Sequence, residues 1–335
     1  MKRLIYLISL IVVMLFITSC TSNTSTTNFS SPYVGGDNGL IAEFQENSPP
    51  DEIYDNGLKP FNIVLRLKND GEFKIARNSI LIKATGFSPK DFGTTESALT
   101  ITSLDTDLDP KQKSSDGTIK QGGETIVSLP KSGSLAYKNS ISGTGELKLP
   151  MSVDLCYLYK TRSTSLLCVT PDLLRASSDD VCEVNGEKQV FSSGSPLKVT
   201  KLSESATKDK LRIEFEITFN GKGRLIKPNG KSFNSLNCGA SEYDFDTVDT
   251  VYVVVDPDHQ WGSMIRCKGL SSSSYNSGYV RLFDSNGAKK TVINCEIPIS
   301  SINKGNYVKP IDIDIYYQYK ERLNKEITIK HIETG

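Results

Sequence analysis

Along most of this chain apolar and polar residues alternate with a period of two, in short runs broken by Gly, Pro, Asn and Asp, and no amphipathic helical repeat follows residue 37. The pattern predicts an all-β protein, because alternate side chains of a strand point to opposite faces. Phe61, Ile63, Leu65 and Leu67 share one face of a run that ends at Asp70-Gly71. Leu211, Ile213, Phe215 and Ile217 do the same in a run that ends at Asn220-Gly221. The two read as one strand written twice.

A stronger echo lies at an offset of 160, where residues 145–162 align without gaps on residues 305–322, with Gly, Pro, Asp, Tyr, Tyr, Lys and Arg identical. This indicates two copies of one module, residues 38–172 and 195–335, joined by a polar, turn-rich linker at 173–194. Strand length and turn spacing suit two tandem immunoglobulin-like β-sandwich domains. Val153, Leu155, Tyr157 and Tyr159 should take the places of Ile313, Ile315, Tyr317 and Tyr319. Asn286-Gly287 predicts a tight primed turn inside a hairpin over residues 279–295. Residues 105–123 read as a long polar excursion.

The alternation also predicts registers. Ile327 and Ile329 are apolar among Glu326, Thr328 and Lys330, which suggests a hairpin with Tyr317 opposite Ile327 and Ile315 opposite Ile329. Carried back by 160, it sets Tyr157 against Leu167 and Leu155 against Val169, with Cys156 across from Cys168 as a cross-strand disulfide. A slip of one residue would instead free Cys156 for Cys182. Cys267 alternates with Ile265, and Cys295 with Ile293 and Ile297, so these two cysteines are expected to face inward from opposite sheets and bond in the core. Cys182 is then left for Cys238.

The first twenty residues break the pattern. Lys2 and Arg3 precede an apolar run from Leu4 to Ile17, too short to span a bilayer comfortably, and small residues lead into Cys20. Ile17-Thr-Ser-Cys20 resembles the lipobox of prokaryotic lipoproteins. The resemblance implies a signal peptide at 1–19, lipidation of Cys20 and a protein held at the extracytoplasmic face of the cell membrane, with residues 20–37 as a Ser/Thr-rich tether. Six further cysteines, an even number in an exported chain, predict three disulfides. Without residues 1–19 the chain carries 37 basic and 39 acidic residues, a net of about −2, which argues against a nucleic-acid partner.

Gly39-Leu-Ile-Ala-Glu-Phe44, Pro49-Pro50-Asp51, Tyr54, the strand from Phe61 to Gly71, Asp154-Leu-Cys-Tyr-Leu-Tyr-Lys-Thr161, Cys168-Val-Thr-Pro-Asp172, Cys182 and Gly194-Ser-Pro-Leu-Lys-Val-Thr200 resemble uncharacterised exported proteins of archaeal metagenomes. That resemblance implies a paired sandwich with cysteine-rich edges and brings no activity with it.

Candidate chemistry is sparse. The chain holds two histidines, His259 and His331, neither in a catalytic motif, and His331 is expected to be solvated. Asp256-Pro-Asp258-His259-Gln-Trp261 places the single tryptophan beside a histidine and two carboxylates, a composition that could touch a ligand or partner. It equally describes a turn whose Trp261 tucks onto the sandwich, which is the expectation. Asp105, Asp107 and Asp109 alternate as calcium ligands do, but Pro110 and the lack of a closing glutamate favour a solvated acidic loop. No catalytic residue, metal site or cofactor is expected. The pattern therefore suggests a non-catalytic, lipid-anchored surface protein acting as a scaffold, adhesion or partner-binding module, its partner another surface protein or a glycan. The alternative is a solute-binding lipoprotein with a ligand held between the two domains.

Overall fold

The computed structural model describes residues 29–142, 145–170, 172, 174, 181–232, 235–239, 245–261, 265–271, 274–298, 300 and 305–332. The chain divides into residues 1–31 and a compact unit of residues 32–335. Twelve strands carry the architecture of that unit. In the first half they are β1 (Leu40–Phe44), β2 (Ile63–Asn69), β3 (Ile80–Thr85), β4 (Thr100–Ile101), β5 (Glu124–Leu129) and β6 (Glu146–Val169). The second half has β7 (Leu197–Ala206), β8 (Lys210–Phe219), β9 (Thr250–Val255), β10 (Ser277–Arg281), β11 (Ala288–Pro298) and β12 (Tyr307–Lys330).

Each strand of the first half has its counterpart six strands later. A three-stranded sheet orders β1-β2-β5, and a larger sheet contains β7-β8-β11 in the same order. The remaining six form the central path β10-β9-β12-β6-β3-β4 of a nine-stranded sheet, to which Glu52–Tyr54, Val190–Ser192 and Arg224–Ile226 add three short strands. The protein is all-β and sandwich-like, with antiparallel sheets facing one another across apolar side chains. Its two halves share the central sheet, since β6 and β12 pair with each other along their whole length, from Tyr307 opposite Val169 to Lys330 opposite Glu146. The apolar core is continuous from Ile63, Leu65 and Leu67 through Tyr157 and Tyr317 to Ile213 and Phe215.

Four tyrosines lie where the halves meet. Tyr157 stands opposite Tyr319 and Tyr159 opposite Tyr317, on one buried face of the ribbon, with ring centroids 5.5 and 6.0 Å apart. Buried phenols need partners. Tyr157 Oη accepts the Leu40 N–H at 3.1 Å, Tyr159 Oη that of Phe73 at 3.2 Å and Tyr319 Oη that of Gly223 at 2.8 Å. Close approach fixes Gly71, where a Cβ would overlap Tyr159 Oη and lie 2.6 Å from the Gly194 carbonyl oxygen.

The expected hairpins do not form. Residues 146–169 and 307–330 are each a single strand of 24 residues, so Tyr317 faces Tyr159 rather than Ile327. The polar stretch Thr161–Ser165, where the expected register would require a turn, lacks Gly or Pro, and its hydroxyls find partners outside the strand. Thr161 Oγ1 donates to the Leu197 carbonyl at 2.7 Å, and Ser165 Oγ to that of Gln189 at 2.8 Å. Cys156 and Cys168 are consequently twelve residues apart on one strand, about 40 Å at the usual rise, and cannot bond.

The disulfides are Cys156–Cys238, Cys168–Cys182 and Cys267–Cys295. All six expected cysteines are used, and only the last pair is the expected one. It does not cross between facing sheets: Cys267 sits directly opposite Cys295 on neighbouring strands of the larger sheet. Neither the expected Cys182–Cys238 bond nor the alternative Cys156–Cys182 bond exists. Cys182 pins the segment after β6 back to the end of that strand. Cys238 pins residues 235–239 over the outer face of the ribbon, where the Asn237 N–H donates to Gln318 Oε1 at 2.7 Å.

The expected linker is partly strand, since Gly186–Lys188 extends the larger sheet and Val190–Ser192 pairs with β6. The excursion at 105–123 contains a small hairpin of Gln112–Lys113 and Ile119–Lys120. Asn286 and Gly287, both at positive φ, make the primed turn between Ser285 and Ala288, as their sequence demands. The strand before it starts at Phe283, because Ser277–Arg281 belongs to the central sheet.

Candidate functional site

Alternation along β6 and β12 sends Lys160, Arg162 and Thr164, with Asp312, Asp314 and Tyr316, to the outer face of the central sheet. Asp314 is buried, and Arg162 grips it with two hydrogen bonds, Nε to Oδ1 at 2.7 Å and Nη2 to Oδ2 at 2.9 Å. Lys160 Nζ adds a contact at 3.4 Å. Burial alone would raise the Asp314 carboxyl, but the Arg162 hydrogen bonds and the charge of Lys160 outweigh it and hold the group below the ordinary carboxylate range. Beside them Thr164 Oγ1 donates to Asp312 Oδ1 at 2.5 Å and shares a hydrogen bond with Tyr33 Oη at 2.9 Å. Burial pushes the Tyr33 and Tyr316 phenols up to about 12, so both stay protonated at neutral pH. The cluster is a set of closed ion pairs and hydrogen bonds, with Asp314 already neutralised by two cations.

The Asp256–Trp261 segment adjoins this cluster. Asp256 is buried at positive φ, and its backbone N–H donates to the Asp312 carbonyl at 2.8 Å. Its carboxylate caps the turn by accepting the N–H groups of Gln260 and Trp261 at 2.9 and 2.8 Å. Trp261 is 2% exposed, and its Nε1–H donates to the Pro310 carbonyl at 2.8 Å. The tryptophan therefore tucks onto the sandwich, and the turn reading holds. Asp258 reaches Arg162 at 3.9 Å, while His259 is exposed.

The acidic loop does not converge on a cation. Asp107 pairs with Lys74 at 2.7 Å and accepts the Arg77 N–H at 2.9 Å, while Asp105 and Asp109 are exposed. No group of three metal-ligating side chains occurs among the described residues. Cys20 lies outside the described residues.

Three features escaped the sequence reading. His331 is not simply solvated: its Nδ1 meets Oδ2 of the buried Asp55 at 2.6 Å. The Ile141 N–H and His331 hold the Asp55 carboxyl below its ordinary range. Glu204 is buried beneath the Cys168–Cys182 bridge, accepts the Cys168 N–H on both oxygens at 3.1 and 3.0 Å, and pairs with Lys188 at 3.2 Å. Burial pushes its carboxyl up to about 7 against those partners. Finally, Phe245 and Phe283 stand 73% and 63% exposed with the Arg281 guanidinium over both rings, at 5.0 and 6.0 Å. Apart from Arg281 and Phe283 these groups come from distant positions, and none of them belongs to a recognisable motif.

No family model matches the chain, and no curated protein does. Among solved structures, the secreted serine protease VesC from Vibrio cholerae is similar at 9% identity and a TM-score of 0.17, over 83% of this chain and 50% of that one. The chain thus spans half of that protein's length, and a likeness this slight says nothing of activity. The three disulfides indicate an oxidising, extracytoplasmic environment. No helix among the described residues is long and apolar enough to cross a membrane.

Proposed function

We propose that this chain is a non-catalytic, lipid-anchored binding module displayed on the extracytoplasmic face of the cell membrane. The observation that supports the reading is the set of three disulfides across a sandwich whose halves share one sheet, a construction suited to presenting a rigid surface outside the cell. Cys20 supplies the anchor, the residues from there to 31 the tether and the compact unit the binding surface; Tyr33, Val34 and Gly35, hydrogen-bonded to Thr164 and Glu72, belong to the fold and not to the expected tether at 20–37. The polar cluster around Asp314 closes on itself, which fits a structural role better than acid–base work.

A ligand held between the halves near Trp261 is the weaker reading, because that indole is buried and its N–H is already bonded to Pro310. Cys20→Ala tests the anchor. The variant should leave the detergent phase and appear in the aqueous phase, whereas unchanged partitioning would overturn the lipid anchor.

A further inference from the structure

On one flank of the molecule a cation stands with no anion beside it among the described residues. Arg281 ends β10, and its Nε is buried without a hydrogen-bond partner. Among the described residues no carboxylate pairs with its guanidinium. A buried donor without an acceptor is costly, and since Nε is closed to solvent a ligand reaches this guanidinium at its Nη groups. The neighbouring cations are already committed, Lys289 to Asp249 at 2.7 Å and Lys290 to Glu216 at 3.4 Å. Among the described residues Arg281 is therefore the cation of this patch without an ion-pair partner, although the exposed Asp246 and Asp284 follow the two phenylalanines in the chain.

Around that charge the surface is aromatic. Phe245 and Phe283 place their rings against the guanidinium and leave most of their area to solvent, which singly exposed side chains may do but a paired cluster around a cation seldom does without a partner. Phe283 is set there by the primed turn at Asn286-Gly287, which pairs it with Lys290 on the outward side of β11. Arg281 and Phe283 are thus held by two strands, and Phe245 comes from the turn at 245–247.

We propose that Arg281, Phe245 and Phe283 form a binding site for a carboxylate-bearing sugar chain of the uronic acid class. The planar guanidinium fork matches a carboxylate, giving two charge-assisted hydrogen bonds. The phenyl faces give a pyranose ring two apolar platforms for its C–H groups. One charge between two rings fits one acidic sugar unit. An anionic membrane would draw on several unpaired cations, which this flank lacks.

This site deepens the reading of the chain as a surface binding module and rests on it. The test uses the full chain in detergent, titrated by calorimetry at physiological salt with polygalacturonate, its methyl ester, polyglutamate and phosphatidylserine vesicles. Polygalacturonate should bind, and the ester, which keeps the sugar but loses the charge, should bind at least tenfold more weakly. Arg281→Gln and the double variant Phe245→Ala/Phe283→Ala should each lose at least tenfold in affinity, with Arg281→Lys between. The rings are largely exposed, so unchanged melting curves should accompany these losses.

Absence of polygalacturonate binding, equal binding of the ester, insensitivity to Arg281→Gln, or tighter binding of polyglutamate or vesicles would each overturn the site. Detergent partitioning of the same preparations reads the Cys20 anchor separately, so failure of the site and failure of the anchor are distinguished.

Discussion

Leu158 and Gln318 face each other at the midpoint of a local two-fold in the central ribbon, because residue 158 pairs with the residue 160 positions later in the chain. Every pair on one side of them has its repeat equivalent on the other: Tyr157 with Tyr319 becomes Tyr317 with Tyr159. The repeat seen in the sequence is therefore also the symmetry by which the two halves join. Gln318 departs from that symmetry and is fully buried, with its amide donating to the Lys227 carbonyl at 3.2 Å and accepting from Asn237.

The tyrosine cluster should be sensitive to small additions. Gly71→Ala forces a methyl onto Tyr159 Oη and the Gly194 carbonyl, and overpacking of that kind costs about 1–3 kcal/mol. Tyr159→Phe leaves the partly buried Phe73 N–H without its acceptor, at a cost of about 1 kcal/mol. Urea midpoints of both variants against the parent chain check this. Wild-type stability in Gly71→Ala would mean that the turn carries slack the packing does not reveal.

Non-reducing peptide maps should join Cys156 to Cys238 and Cys168 to Cys182. In the loop-closure picture, replacing both members of a pair by Ala costs about 4.5 kcal/mol for the separation of 82 residues, about 3.6 for 28 and about 3 for 14. Stability should therefore fall in that order, most for Cys156–Cys238. A fragment linking Cys156 to Cys168 would contradict the single long strand.

Glu204 should give stability a pH dependence near neutrality. Its folded-state value of about 7 lies above the ordinary 4.5, so the folded protein holds this proton more tightly than the unfolded chain. The stabilisation is full below about pH 4.5 and is lost as the pH rises through 7, by up to ~3 kcal/mol at about 1.4 kcal/mol per pH unit. Denaturation midpoints of wild type and Glu204→Gln at several pH values read the difference. The wild-type slope between about pH 5 and pH 7 should flatten in the variant, and equal slopes would remove Glu204 as its source.

Trp261, the single tryptophan, should emit in the blue and resist iodide quenching in the folded chain, then shift to the red on unfolding. Asp256→Ala removes the acceptor for the Gln260 and Trp261 N–H groups and should loosen the turn, raising quenching before global unfolding. Emission that responds to polygalacturonate would point to a ligand at Trp261 instead of at Arg281.

Period-two alternation and turn residues determined, without any long-range information, that the protein is all-β, which faces of β2 and β8 are buried, where the Asn286-Gly287 turn falls and that the chain contains a repeat. The first three are local properties, each set by a residue and its neighbours within a few positions, and the repeat is legible by comparing two stretches of the same chain. Alternation specifies which side chains point together, but not which strand lies alongside. The choice between a hairpin and one 24-residue strand was therefore open to the tertiary structure alone. Thr161 and Ser165 could continue in the strand because the 189–197 segment satisfies their hydroxyls, and Tyr159 met Tyr317 because pairing the two copies buries four aromatic rings at once. The same long-range pairing moved Cys156 away from Cys168, closed the ion pairs around Asp314 and set Arg281 against two phenyl rings. Such groupings depend on which distant strands become neighbours, and that is decided by the burial the whole sheet can achieve.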